Sequence, residues 1–92
     1  MNILAEEIPL LEAKLPKLSV SEIALIIRQN WRPVWFGAVP YLDAMSRMQT
    51  VNDPVFNDDG RSVVNYFLCN AKFWRGDVAK ADKAELKSRL KS

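Results

Sequence analysis

Apolar residues recur along this chain at helical spacing in five stretches, divided by prolines, glycines and one loop rich in Asn and Asp. In the first, Leu4, Ile8, Leu11, Leu15 and Leu18 advance by alternating steps of four and three, predicting a helix over roughly 2–15. Pro9 kinks this helix or marks its effective start, and Pro16 ends it. Two prolines within fewer than three heptads favour packing into the chain's own core over a coiled coil.

The second stretch carries the clearest start signal. Ser19-Val20-Ser21-Glu22 matches a capping box, with Ser19 as N-cap and Glu22 three positions on. Val20, Ile23, Ala24, Ile27 and Trp31 then share one face, and Pro33 stops the helix at about Asn30 or Trp31. Residues 32–37 read as a connector. A third helix begins near Ala38, tolerates Pro40 in its first turn and turns Ala38, Tyr41, Leu42, Met45 and Met48 inward. Residues 50–59 form a loop by composition, with Val55 and Phe56 expected to tuck back into the core.

The fourth stretch, about 60–74, is capped by Asp58 or Asp59. Val63, Val64, Phe67, Leu68, Ala71 and Trp74 make a broad apolar arc that Tyr66, Cys69 and Phe73 extend from the other side. A helix apolar around most of its circumference belongs at the centre of a fold. Arg75-Gly76-Asp77 predicts a glycine C-cap and a new N-cap at Asp77, opening a fifth helix over about 77–91. Its seam is narrow: Ala79, Leu86 and Leu90. The expected architecture is all-α, a single-domain bundle of four to five short helices with helix 60–74 central.

Composition narrows the chemistry. At 92 residues and 49% hydrophobic, the chain is sized for one domain with a packed core. No apolar run approaches the ~20 residues a membrane span needs, and Glu6 and Glu7 stand where a signal peptide would be apolar. The expectation is a soluble, cytoplasmic protein. The single Cys69 cannot form an internal disulfide and is expected to be a small buried hydrophobe. Histidine is absent, which removes the commonest general base and zinc ligand. Three glycines cannot build a phosphate-cradling loop. No metal site and no cofactor is expected, and the carboxylates Glu6, Glu7 and Glu12 form no matched acid/base pair.

Three constellations remain. Asn57-Asp58-Asp59-Gly60 resembles part of a calcium loop, but the alignment puts Val55 at the first ligand position and Tyr66 at the twelfth. A capped helix start is the simpler reading. Charge is uneven: residues 1–60 hold five Lys/Arg against eight Asp/Glu, net −3, and residues 61–92 hold eight against three, net +5. Lys80, Lys83, Lys87 and Lys91 lie along one side of the last helix with Arg75 upstream, a stripe that could track a polyanion such as nucleic acid. A solvated face is the commoner origin of such a stripe. Finally, Trp35 and Phe36 sit beside Arg32 on a short connector, outside any helical face. Their simpler role is to plug the end of the bundle; their functional role would be an interface anchor, since Trp with Arg is typical of binding hot spots.

The sequence therefore supports a small non-catalytic binding module, an adaptor, regulator or inhibitor using Arg32, Trp35 and Phe36 against a protein partner. It would act as a monomer or weak homodimer. The alternative is a nucleic-acid-associated protein using Arg75, Lys80, Lys83, Lys87 and Lys91.

Overall fold

A computed structural model describes residues 5–91. Five α-helices follow in order: α1 (Ile8–Glu12), α2 (Val20–Asn30), α3 (Val39–Met45), α4 (Gly60–Cys69) and α5 (Asp77–Lys91), with 3-10 turns at Ala5–Glu7 and Leu15–Lys17. The fold is all-α. Among the described residues the only extended pairing is an isolated bridge between Val55 and Asp58.

The predicted first helix is shorter than its seam. Pro9 falls at the second position of α1, where its missing N–H has no helical partner to lose, so the α-helix starts there instead of kinking. Ile8, Leu15 and Leu18 are buried as the seam requires. Leu4 lies outside the described residues.

The α2 capping box is complete. The Glu22 amide donates to Ser19 Oγ at 3.1 Å, and the Ser19 amide donates to Glu22 Oε1 at 2.9 Å. These bonds hold the Glu22 carboxyl below its ordinary value. Ser21 Oγ also meets Ser19 Oγ at 2.9 Å, a contact the sequence pattern does not reveal. Ser19→Ala is expected to cost ~0.5–2 kcal/mol in chemical denaturation, and Ser21→Ala clearly less, because Ser21 Oγ satisfies no backbone donor. Equal costs would show that the box is not what starts the helix.

The core joins α2, α3, α4 and α5. Val20, Ile23, Ala24, Ile26 and Ile27 of α2 are fully enclosed, as are Leu42 and Met45 of α3 and Met48 beyond it. The chain after α3 also docks on the start of α2, where the Val20 and Ser21 amides donate to the Gln49 and Met48 carbonyls at 3.0 and 2.8 Å. At the centre lies an aromatic triad. Trp31 stacks on Trp74 at 5.8 Å and 12°, and Phe67 meets the two rings edge-on at 6.4 and 6.5 Å. The Trp74 indole N–H is satisfied by Asn30 Oδ1 at 2.8 Å.

Helix α4 stops at Cys69 instead of running to about 74. Asn70 closes it: its amide bonds the Tyr66 and Phe67 carbonyls, and its Nδ2 donates to Tyr66 O at 2.9 Å. A turn over residues 71–76 then carries Trp74 back onto Phe67. The helix is consequently one-sided, with Val63, Val64 and Phe67 inward and Tyr66 and Cys69 exposed. Cys69 is thus a surface thiol and not the buried hydrophobe expected. Asp59 caps α4, accepting from the Arg61 amide at 3.3 Å. Gly60 is required there, because a Cβ would overlap the Asp53 and Val51 carbonyls.

Val55 is buried as expected, but Phe56 is not. A tight reversal pairs Val55 with Asp58 through two bonds of 3.0 and 2.9 Å and puts Phe56 at its tip with φ +56°. That turn points the ring into solvent, 78% exposed, with the Arg47 guanidinium 5.4 Å from its centroid.

Gly76, at φ +116°, precedes α5 and its carbonyl accepts the Lys80 amide at 2.9 Å. Gly76 is therefore the N-cap, and Asp77 sits one residue inside as a first-turn acid that suits the helix dipole. Two arginines bolt α5 down. Arg61 Nη1 donates to Leu90 O at 2.7 Å, and Arg89 Nη2 donates to Leu15 O at 3.0 Å while its Nε pairs with Glu85. The buried face of α5 is Ala79, Asp82 and Leu86. A carboxylate thus lies inside the seam.

Candidate partner-binding face

The connector from Trp31 to Ala38 is held at both ends, and Val34 packs against the core between them. Trp31 is locked in the triad and Ala38 is fully buried, while Arg32, Trp35 and Phe36 face outward. The Arg32–Pro33 peptide bond is cis. Trp35 is 41% exposed and Phe36 74%. Gly37 lets the indole fold back: a Cβ there would stand 2.5 Å from Trp35 Nε1 and 3.2 Å from Asn70 Oδ1. The connector is thereby laid against the end of α4.

That apposition recruits a residue assigned above to the interior of helix four. Phe73, in the turn after α4, is 74% exposed and meets Trp35 edge-on at 6.3 Å, while Trp35 and Phe36 are 4.2 Å apart. Three large rings from two segments form one exposed cluster. A monomer's surface carries single apolar side chains routinely, but a contiguous aromatic cluster is the kind that marks a contact site. The plug reading does not describe Phe36 and Phe73, whose rings cover no core. Sequence reasoning missed Phe73 because a continuous helix through 74 would have turned it inward. The signal was Asn70, a residue that favours helix ends.

The lysine stripe is divided. Lys80, Lys87, Lys91 and Arg75 are exposed, but Lys83 turns in, donating to Trp74 O at 2.6 Å with its ammonium 5.7 Å from the Trp74 ring centroid. Partial burial, with Lys87 and Arg75 nearby, holds the Lys83 ammonium below its ordinary value. The middle cation of the stripe therefore buttresses the core. Of the three acids on α5, Asp82 turns inward and Glu85 pairs with Arg89, while Asp77 stays exposed in the first turn.

Two further features hold the kinds of group that catalytic sites use. A cleft of about 600 Å³ lies between residues 16–19, the loop 49–52, Arg61 and Arg89. Both guanidiniums already bond other groups: Arg61 Nε donates to Asn52 Oδ1 at 2.8 Å in addition to its bond to Leu90, and Arg89 holds Glu85 and Leu15. The second is Asp82, fully enclosed, both carboxyl oxygens without a hydrogen-bond partner, as is Glu12 Oε1. Burial first, and then the neighbouring Glu12, push the Asp82 carboxyl up to about 9. A raised carboxyl in a cleft is a mark of general acids, but Asp82 lines none of the clefts described. Its protonated form can donate to Glu12.

Among the described residues no three Asp, Glu or Cys side chains gather where a metal could bind, and no helix is long and apolar enough to cross a membrane. No protein-family profile matches the chain, and no curated protein or solved structure is significantly similar to it.

Proposed function

We propose that this protein is a small non-catalytic binding module, an adaptor, regulator or inhibitor that docks a protein partner on Arg32, Trp35 and Phe36, joined by Phe73. The observation that carries this reading is the mutual contact of three exposed rings from two separate segments. Trp and Phe supply large rigid contact area at small entropic cost, and Arg beside them is the usual companion at hot spots. The absence of histidine and the prior commitment of both cleft arginines favour binding over catalysis. A reducing compartment such as the cytoplasm suits the exposed, unpaired Cys69.

Peptide-display selection tests the reading, with Trp35→Ala/Phe36→Ala/Phe73→Ala as the counter-target. Peptides enriched on the native protein are expected to lose ~2 kcal/mol or more, about thirtyfold in Kd, on the triple variant. Equal binding to both proteins, or no enrichment on the native one, would contradict it. Nucleic-acid contact along α5 is the weaker alternative, because Lys83 is occupied by Trp74.

A further inference from the structure

We infer that the segment docking on the aromatic cluster is acidic and amphipathic: large apolar side chains on one side, flanked by Asp and Glu. This rests on the docking reading and adds the chemistry of the partner.

The two segments that build the cluster, residues 31–38 and 70–76, contain Arg32, Lys72 and Arg75 and no acid at all. All three cations are exposed. Among the described residues none of the three joins an ion pair; Arg32 contacts only the neutral Gln29 side chain, at 3.3 Å. The nearest acid along the chain after the connector is Asp43, which is held by Arg28. The next after the turn is Asp77, whose place in the first turn of α5 is stabilised by the helix dipole. An apolar patch whose two segments carry only positive charge favours a partner of opposite sign, which gains association rate and register from the cations and affinity from the rings. Basic segments would meet like charge at the rim.

The ring geometry separates this partner from single-stranded nucleic acid. Base stacking needs free aromatic faces along a cationic track. Here Trp35 and Phe36 are tilted by 48° at 4.2 Å and Phe73 stands at 72° to Trp35, so the rings cover part of one another. They form a knob for apolar contact instead of a row of plates. Three cations are also few beside the six to ten phosphate contacts of ordinary nucleic-acid binders.

The test compares peptides displayed on the native protein with those selected on Arg32→Glu/Lys72→Glu/Arg75→Glu, whose exposed positions leave the core untouched. Circular dichroism melts confirm that each variant is folded. Native selection is expected to enrich Asp and Glu next to Leu, Ile, Phe or Trp. The charge-reversed protein is expected to bind those peptides at least tenfold more weakly and to enrich Lys and Arg in their place. Enrichment without acidic bias, or Kd values unchanged by charge reversal, would overturn the acidic inference while leaving the docking face standing. Acidic peptides that bind the aromatic triple-alanine variant as tightly as the native protein would overturn both. Fluorescent dT20 binding more tightly than any selected peptide, and lost on the same charge reversal, would assign the face to nucleic acid and overturn both as well.

Discussion

The melting temperature is expected to fall as pH rises from about 5 towards 9, and Asp82→Asn is expected to abolish that fall. Asp82 is enclosed beside Glu12, and its carboxyl is pushed up to about 9, far above the ordinary aspartate value of 3.8. Between those limits the native state keeps a proton that the unfolded chain releases. Stability from this group is therefore complete at low pH and lost as pH climbs through the native value. Two other acids act in the opposite direction at a different place. Glu22 and Asp53 are held below their ordinary values by backbone hydrogen bonds, so their contributions disappear only as pH falls through the carboxylate range. Lys83, held low by partial burial, has the opposite sign to Asp82, gaining stability as pH climbs. The pH dependence that Asp82→Asn removes is therefore the part that belongs to Asp82. Asparagine can donate to Glu12 at every pH, as the protonated acid does. Asp82→Asn is expected to stabilise by a few kcal/mol at pH 8, where folding must take up a proton that the unfolded chain has released, and to change little near pH 4. A native melting temperature that is level across this window would show that Asp82 carries no proton in the fold.

Phe67→Ala is expected to have the largest cost of any single truncation, about 3–5 kcal/mol. The ring is fully buried and meets both Trp31 and Trp74 edge-on, so its removal opens a cavity and unseats the stack. Against a total of roughly 5–15 kcal/mol, that loss leaves little folded protein at moderate temperature. A urea midpoint close to that of the native protein would place the core elsewhere.

The parts legible in the sequence are those set by neighbours along the chain. Ser19 and Glu22 name the start of α2 because the capping box spans four residues. Pro33 fixes its end, and Phe67 announces the core by spacing alone, whereas Trp74 reaches it through the turn after α4. The parts that were not legible depend on contacts between distant segments. Asp82 stands on the buried seam by its spacing from Ala79 and Leu86, but a search for apolar positions passes over a carboxylate. Lys83 matches the lysine stripe and is nevertheless drawn inward by the Trp74 carbonyl. Phe56, Cys69 and Phe73 are apolar and exposed because a tight turn and an early helix end point them outward. Arg32, Trp35 and Phe36 were visible as candidates; Phe73 joins them only when Gly37 and the end of α4 meet.

Whether the aromatic cluster is a docking surface or part of the scaffold is decided most directly by the melting temperature of Trp35→Ala. An indole that serves a partner contributes at most ~1 kcal/mol to the free protein, so the melting temperature is expected to drop by no more than about 4–8 °C. A core plug would cost ~3–5 kcal/mol and lower it by more than about 12 °C. The larger drop would contradict the docking face.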